Sequence, residues 1–426
     1  MTPNDNYKDL LKAARAIETN KADEFLAMRD KMERLFAEHG FRDENIKNAA
    51  QPEILVMRLD GIGDFVMMSG FMRELRRNYP SSRITLIVNR NILDFVSLCP
   101  YVNEVIPFDV PKSKSSSAFE AWHDFIAYCS EHLWRYHFDW AFVPQWGGEK
   151  LLQFMLAFLS GAKNRVGFSQ WIETVYVPLQ GIELDTAIAN SFLTHTLTNP
   201  PEIEHEADRC FFMLTALGLA VESTELETWY STNDKISAGM KLGKNADKKT
   251  LAVLGIGASK AVCRYPVEKY AAAMAEIIGR NAFIVLVGGA DVEKDASTFS
   301  AMIKSDNIMS LVAKLSLRET AALISLADIY IGNDTGTAHI AAAVGTPAVV
   351  LYPEAKDKEH IHGALLSNYV KFRPRGRHIA LRPEHGLDGC AEHAYIYGGC
   401  EKDYPHCITQ IDPAEIVRAY DELMSR

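Results

Sequence analysis

The sequence of 426 residues predicts an α/β protein with two doubly wound, Rossmann-like domains facing a central cleft, preceded by an N-terminal helical extension. Three observations predict this fold class. Apolar runs alternate with helical patterns from Ile54 onwards, which is typical of a mainly parallel sheet. A polar stretch at 220–248 interrupts the alternation, which then restarts near Leu251 on the same plan. In 329–352 an apolar run, a Gly-rich turn, a helix of small residues and a second apolar run follow one another.

Residues 1–50 predict two amphipathic helices. Apolar side chains recur at helical spacing over 10–17 and again over 25–36. The polar faces mix both signs of charge, whereas a membrane-binding helix would carry a basic face. The pattern therefore predicts a helical extension that is either solvated or an oligomer contact.

The predicted N-terminal domain covers 51–245. Its strands are predicted at 54–59, 84–88, 104–108 and 140–143, and its helices at 65–79, 92–98, 118–134, 150–159 and 204–217. Residues 170–200 are predicted to be irregular, and residues 220–248 to lack a regular period, with a linker at 241–249.

The predicted C-terminal domain covers 246–411, and a helix at 412–426 closes the chain. Besides the two strands of 329–352, strands are predicted at 251–254, 283–287 and 308–312, and helices at 267–278, 293–303 and 317–326. No short-period repeat is present.

The amino-acid composition of the chain argues against two classes of protein, nucleic-acid-binding proteins and membrane-spanning proteins. The chain has 45 Lys and Arg against 55 Asp and Glu, a net charge of −10 that argues against non-specific nucleic-acid binding. Residues 1–20 are charged, and no uncharged run approaches the ~18 residues that suggest a membrane span. A cytoplasmic protein is therefore expected, with at most peripheral contact at the inner face of the membrane. Cys99, Cys129 and Cys210 lie in apolar contexts that predict core thiols.

Residues 58–64, RLDGIGD, follow a predicted strand and open a predicted helix. Gly61 and Gly63 permit a tight turn there. A dinucleotide-binding fingerprint needs a third glycine where the sequence has Val66, and no Walker lysine follows. Asp64 is either a helix cap or a catalytic carboxylate.

Residues 333–339, NDTGTAH, lie where a predicted strand ends, the usual ligand edge of an open α/β sheet. Asp334 or Thr335 can cap the helix that follows, and the N–H groups at its start favour an anion. The segment thus predicts a site for a phosphate-bearing ligand. His339 is either a packed structural residue or a ligand contact.

Residues 255–266, GIGASKAVCRYP, also lead from a predicted strand to a predicted helix. Ser259, Lys260 and Arg264 either bind phosphates there or form a solvated surface loop. Near the C-terminus, four residues either form a Cys₃His site for zinc or iron or include free loop thiols. These four are Cys390, His393, Cys400 and Cys407.

The chain resembles glycosyltransferase family nine, the ADP-heptose:lipopolysaccharide heptosyltransferases. Residues 334–352 match the pattern DTGxxHxAAAxGxPxVxLY, and 58–80 resemble the N-terminal motif of the family. A third segment, 255–266, resembles PGAxxxxKRWP, but Cys263 stands at the lysine and Tyr265 at the tryptophan. The resemblance covers the chain after the helical extension and implies a GT-B fold and an inverting, metal-independent glycosyl transfer. It also implies that 51–245 is the acceptor domain and 246–411 the nucleotide-sugar donor domain.

The resemblance also implies roles for single residues. Asp64 would be the general base that deprotonates the acceptor hydroxyl, with Gly63 beside it at the donor. Thr335 and Gly336 would offer backbone N–H groups to the donor diphosphate at a positive helix end, and Asp334 would accept hydrogen bonds from sugar hydroxyls.

Three further implications are less direct. His339 would contact the phosphate or brace the loop. Arg264 or Lys260 would replace the missing lysine, and Arg264 is preferred because its guanidinium pairs with phosphate oxygens. Some family members have a cysteine-rich tail, which keeps both interpretations of the C-terminal cysteines open.

The sequence thus predicts transfer of a heptose, or a related sugar, from an ADP-sugar donor to a lipopolysaccharide core or another glycan or glycolipid acceptor. No further cofactor and no nucleic-acid partner are expected. Acceptor loops are expected within 110–200, where Trp146, before Gly147 and Gly148, would stack on a sugar or pack in the core. The alternatives are another nucleotide sugar, a protein acceptor, a non-catalytic nucleotide-sugar-binding subunit and an NAD-dependent oxidoreductase.

Overall fold

The computed structural model of the chain forms two compact units. It describes residues 6–17, 25–41, 51–109, 118–146, 151–169, 174–177, 182–185, 189–198, 200, 202–243, 249–358, 368–387 and 402–425. Unit 1 consists of Met1–Asp60, Phe71–Leu93 and Pro100–Thr224. Unit 2 consists of Gly61–Gly70, Asp94–Cys99 and Glu225–Arg426. The domain boundaries at 51–245 and 246–411 stay predictions.

Unit 1 is built on a six-stranded parallel sheet. Its strands are β1 (Ile54–Arg58), β2 (Ile84–Asn89), β3 (Glu104–Phe108), β4 (Trp140–Val143), β5 (Asn164–Phe168), β6 (Thr174–Val177), β7 (Ile182–Asp185) and β8 (His195–Leu197). Its helices are α1 (Asn6–Arg15), α2 (Phe25–Glu38), α3 (Ile62–Asn78), α4 (Leu93–Val96), α5 (Ala118–His132), α6 (Leu151–Leu159) and α7 (Glu206–Ala216). The sheet order is β3-β2-β1-β4-β5-β8, and β6 and β7 form a separate antiparallel pair. Helices α3 and α4 each include residues of both units.

The four strands predicted in the first half are confirmed, but the prediction of an irregular 170–200 is wrong. Strands β6, β7 and β8 lie within it, and β5 lies just before it. β5 mixes polar and apolar residues and β8 has only three residues, so neither shows a clear local pattern. Each is a strand because it pairs with a neighbour, β5 with β4 and β8 with β5.

The predicted N-terminal helices are present and pack on unit 1. Buried apolar side chains of α1 and α2 join the same core as those of α5 and α6. The Phe36 ring lies 6.2 Å from Trp134 and 5.8 Å from Phe158, measured between centroids. Gly161, at a φ of +81°, leaves the space that the Phe41 ring occupies. The described apolar face of the extension is therefore part of the unit 1 core, and the oligomer contact stays a prediction.

Unit 2 repeats the plan with a second six-stranded parallel sheet. Its strands are β9 (Thr250–Gly255), β10 (Ala282–Val287), β11 (Ile308–Ser310), β12 (Ile329–Asn333), β13 (Ala348–Leu351) and β14 (His378–Leu381). Its helices are α8 (Thr232–Leu242), α9 (Val267–Ile278), α10 (Glu293–Met302), α11 (Leu317–Leu326), α12 (Gly336–Ala343), α13 (Asn368–Phe372) and α14 (Pro413–Met424). The sheet order is β11-β10-β9-β12-β13-β14.

Helix α8 was not predicted, because 220–248 shows little hydrophobic period. Only Ala238 and Leu242 of this helix are buried, and Ile236 and Met240 are exposed apolar residues that obscure the pattern. A capping box between Ser231 and Asp234 starts the helix. The helix thus forms through its cap and through contacts with α11.

The chain reverses direction across the unit 2 sheet between β9 and β12. From β9 it proceeds outwards through β10 and β11, then crosses to β12 and proceeds outwards on the other side. Such a switch point leaves a crevice at the carboxyl ends of the two central strands, where α/β proteins bind ligands. The two phosphate-binding segments predicted from the sequence follow these two strands.

Candidate active site

The loops after β9 and β12 start side by side. Gly332 on β12 is paired in register with Gly255 on β9. Between them lies the Tyr330 side chain, whose hydroxyl occupies the space that a Cβ at either glycine would need. The Tyr330 hydroxyl lies 2.7 Å from the Thr337 hydroxyl in the first turn of α12. The absence of side chains at these two glycines therefore lets β12 make a direct contact with the start of α12.

Asn333, the last residue of β12, joins the two loops. It is fully buried, and its Nδ2 donates to the carbonyl oxygens of Ile256 and Gly257, each at 3.1 Å. Its Oδ1 accepts from the Tyr265 N–H at 3.1 Å and from the Tyr270 hydroxyl at 2.9 Å. All four hydrogen-bonding positions of the amide are thus used. The sequence placed Asn333 at the strand end but gave it no role.

Thr335 is the N-cap residue of α12, but its side chain does not cap the helix. The side-chain capping bond for which the sequence offered Asp334 or Thr335 is therefore not formed by the N-cap residue of this helix. The Thr335 hydroxyl instead lies 3.0 Å from the hydroxyl of Thr337. The backbone N–H groups in the first turn of α12 carry the partial positive charge of the helix N-terminus, which favours an anion as the sequence predicted.

Residues 61–64, which belong to unit 2, pack against the first turn of α12. A Cβ at Gly63 would lie 2.7 Å from Cδ2 of His339 and 3.5 Å from the Gly336 Cα. A Cβ at Gly336 would lie 2.8 Å from the Ile62 Cβ. Both positions therefore require glycine for this close approach. His339 is buried and its ring faces Gly63, so it braces this segment in the structure.

Asp64 caps α3, one of the two roles that its position allowed. The helix begins at Ile62, so Asp64 is its third residue, and its Oδ2 accepts a hydrogen bond from the N–H of Gly61, the residue before the helix, at 3.1 Å. The predicted helix start at 65 is therefore too late, because 62–64 already form its first turn.

Asp334 lies among other carboxylates. Burial, followed by the nearby charges of Glu354 and Asp64, raises the pKa of Asp334 to about 7. A carboxyl group with this pKa is half protonated near neutral pH, and the protonated form can donate a hydrogen bond. Because the Asp64 charge is one of the causes of this raised pKa, Asp64 and Asp334 lie close enough to repel each other, although they are 270 positions apart in the sequence.

The basic residues after β9 have separate environments. Ser259 and Lys260 are exposed. Arg264 donates from Nε to the Ala258 carbonyl at 2.9 Å and pairs with Asp291 at 2.7 Å. The guanidinium preferred as the phosphate ligand is therefore held by a carboxylate of the loop after β10.

The structure brings six of the nine predicted site residues together around the start of α12. They are Gly63, Asp64, Asp334, Thr335, Gly336 and His339. The other three, Ser259, Lys260 and Arg264, follow the adjacent strand β9.

The proposed metal ligands are only partly described. Cys390, His393 and Cys400 lie outside the described residues. Cys407 is buried, and its sulfur accepts from the Leu387 N–H at 3.4 Å. Within the described ranges, no group of three or more His, Cys, Asp or Glu residues is arranged to hold a metal ion. Across the same ranges, no helix is both long enough and apolar enough to cross a membrane.

Unit 1 contains a buried ionic cluster that the sequence did not reveal. Arg58, the last residue of β1, binds Glu206 at 3.1 Å and Asp60 at 2.8 Å. Glu206 also accepts from the Trp146 N–H at 3.1 Å, and the Arg209 guanidinium lies 3.7 Å from the Trp146 ring centroid. One face of Trp146 is thus covered by Arg209, whereas Gly147 and Gly148 lie outside the described residues. Arg58 lies in the 58–64 motif, so the sequence drew attention to it, but its partner Glu206 is too distant in the sequence for the ion pair to be predicted.

Known proteins resemble the chain in sequence and in fold. The model of glycosyltransferase family 9 (heptosyltransferase) matches residues 177–372. Lipopolysaccharide heptosyltransferase 3 of Escherichia coli is 23% identical over 302 residues, which cover 68% of this chain and 80% of the relative.

Two solved structures share the fold. The family 9 glycosyltransferase of Veillonella parvula DSM 2008 has a TM-score of 0.67 and 18% identity, over 88% of this chain and 97% of its own. The E. coli ADP-heptose lipopolysaccharide heptosyltransferase II has a TM-score of 0.62 and 18% identity, over 88% of this chain and 98% of its own. They confirm the predicted α/β fold class with two doubly wound sheets, named GT-B. By its motifs, its fold and the family model, the chain is similar to glycosyltransferase family 9, and it is a glycosyltransferase.

Proposed function

We propose that the chain transfers a heptose, or a related sugar, from an ADP-sugar donor to a hydroxyl of a lipopolysaccharide core or another glycan, with inversion at the anomeric carbon. The names of the similar E. coli proteins support this choice of donor and acceptor. The observation that carries the proposal is the packing of 61–64 on the first turn of α12. It puts a carboxylate next to a helix end suited to a diphosphate.

Asp64 is the general base of the proposed reaction. The acceptor oxygen bonds to the anomeric carbon while the bond from that carbon to the diphosphate breaks, and ADP leaves with the electron pair. The acceptor proton passes to the Asp64 carboxylate, which leaves its hydrogen bond to the Gly61 N–H. Attack opposite the leaving group inverts the anomeric carbon.

The diphosphate is held by unit 2 in this proposal. Backbone N–H groups of Thr335 and Gly336 bind its oxygens at the positive end of α12, and Asp334 binds sugar hydroxyls. Ser259 and Lys260 are exposed after β9 and can reach a ligand at the crevice. Arg264 would exchange its Asp291 partner for phosphate oxygens, because both are anionic acceptors. No cofactor beyond the donor is proposed.

Replacement of Asp64 tests the base. Asparagine can still cap a helix, so Asp64→Asn keeps the hydrogen bond to Gly61 but cannot take a proton. We expect kcat to fall by about 10²- to 10⁴-fold while ADP binding, measured by calorimetry, stays close to that of the wild type. Asp64→Ala, which also removes the cap, shows how much of any loss comes from the helix start. Transfer by Asp64→Asn near the wild-type rate would exclude this carboxylate as the base.

A panel of nucleotide sugars tests the donor. The wild type is incubated with ADP-heptose and with nucleoside diphosphate hexoses, and products on a lipopolysaccharide core and on a protein acceptor are weighed by mass spectrometry. Transfer from ADP-heptose to the core is expected. Donor binding without any product would favour a non-catalytic nucleotide-sugar-binding subunit. Transfer of a hexose but not of heptose would show that the donor is another nucleotide sugar. The cytoplasmic location and the peripheral membrane contact stay predictions.

A further inference from the structure

We infer that Asn333 is a positioning residue that sets the geometry of the donor diphosphate site by fixing the loop after β9 against the start of α12. It does so without contacting the donor. The inference rests on the proposed function, because the two loops that it joins are the proposed phosphate-binding loops.

The first step concerns the peptide groups of the β9 loop. Asn333 Nδ2 holds the carbonyl oxygens of two successive residues, Ile256 and Gly257. No peptide bond in the described chain is cis, so each carbonyl points opposite to the N–H of the next residue. The N–H groups of Gly257 and Ala258 therefore point away from Asn333. Successive N–H groups with a common direction form a concave site for an anion.

The second step concerns the opposite end of the amide. Asn333 Oδ1 accepts from the backbone N–H of Tyr265 and from the Tyr270 hydroxyl at the start of α9. Arg264 immediately precedes Tyr265, so the same amide fixes the backbone from which the guanidinium extends. One buried side chain thus orients both the N–H groups and the cation of this loop.

The third step is that few other side chains could replace Asn333. The site needs two N–H donors and an oxygen with two acceptor positions, which an asparagine supplies. An aspartate has nearly the same shape but no donor when ionised, and its oxygens would face the two carbonyl oxygens. Asp334, by contrast, follows in the sequence and belongs to the proposed ligand contacts, so the two neighbours have different roles.

The test compares Asn333→Asp with Tyr270→Phe in the full-length chain. Tyr270→Phe removes one hydrogen bond to the same amide but leaves both bonds to the β9 loop. For Asn333→Asp we expect ADP affinity by calorimetry to fall about tenfold or more, within the range for unsatisfied buried polar groups. The donor KM should rise and the acceptor KM stay unchanged. Tyr270→Phe should remain within about threefold of the wild type in both quantities.

Each outcome separates the inference from the proposed function. If the wild type binds no ADP, the proposed function fails and the inference fails with it. If the wild type binds ADP and Asn333→Asp binds it equally well, only the inference is overturned. Equal losses in both variants, in proportion to their loss of thermal stability, indicate general packing and also overturn it. Asn333→Ser replaces Asn333→Asp if the latter does not fold, and failure of both to fold shows a structural role and overturns the inference.

Discussion

At the scale of single residues, the close approach of Gly63 to His339 leaves no room for a side chain. We expect Gly63→Ala to displace 61–64 from α12, because the new methyl group would lie 2.7 Å from Cδ2 of a buried ring. Overpacking of this kind costs about 1–3 kcal/mol of folding free energy. Under the proposed mechanism it also moves Asp64 away from the donor, so the transfer rate should fall. Denaturant unfolding and a transfer assay measure the two effects.

Gly61→Ala is the matched control, since its Cβ would meet only Asp64 Oδ2, at 3.4 Å. The double variant Gly63→Ala/His339→Ala should recover part of the loss, because the smaller side chain makes room for the methyl group. Equal effects of the two alanine substitutions, or no recovery in the double variant, would contradict the role given to this contact.

Asp334 should make stability depend on pH. Its pKa of about 7 in the folded chain exceeds the value of about 3.9 for an unfolded aspartate, so the folded state holds the proton more tightly. Its contribution to stability is therefore most favourable below about pH 4 and declines as the pH rises to about 7. Asp334→Asn remains neutral and avoids this decline.

The melting temperatures of the wild type and of Asp334→Asn, measured at pH 5 and pH 8, test this dependence of stability on pH. The variant should gain relative to the wild type at the higher pH. Asp64→Asn removes one of the charges that raise this pKa, so it should shift the decline to lower pH. A difference between Asp334→Asn and the wild type that is the same at both values would show that Asp334 has an ordinary pKa.

At the scale of elements, the aromatic side chain of Phe36 is one of the buried side chains through which α2 packs on the rest of unit 1. Phe36 is fully buried among Phe41, Trp134 and Phe158. Phe36→Ala should lower the free energy of unfolding by about 3–5 kcal/mol, because it removes buried apolar area and leaves a cavity. Leu26→Ala, on the exposed side of the same helix, should change it by less than about 0.5 kcal/mol. Urea unfolding of both variants decides whether the extension is part of the folded unit.

The elements differ in how well the sequence predicted them. Strands β1 and β12 are buried along their whole length and β9 along all but its first residue, so a mainly apolar run marks each of them. Strand β8 and helix α8 bury little, and their form depends on neighbours that are distant in the sequence. Local patterns could therefore identify the central strands of each sheet but not these peripheral elements.

At the scale of the whole molecule, both sheets are parallel and have the same form of strand order. In each, the chain runs outwards from one central strand, crosses back, and continues on the other side. The position of the candidate site followed from this plan, because motifs at the ends of central parallel strands must lie at one edge of a sheet. The plan could thus be predicted from the order of apolar runs and Gly-rich turns.

The contacts that fix the site could not be predicted. Asn333 binds Ile256 and Gly257, 77 and 76 positions earlier, and Arg58 binds Glu206, 148 positions later. A polar residue at the end of an apolar run is a signal, but its partners depend on packing between distant segments. For the same reason the sequence favoured Arg264 as a phosphate ligand without showing that Asp291 holds it.

The Tyr330 side chain has a consequence for how this chain can evolve. Its hydroxyl fills the space beside Gly255 and Gly332, so neither glycine can acquire a larger side chain while the tyrosine is present. Loss of the tyrosine would free both positions at once. Across diverging descendants, either glycine should therefore change only where the tyrosine has also been lost, and an alignment deep enough to measure covariation should link the three sites.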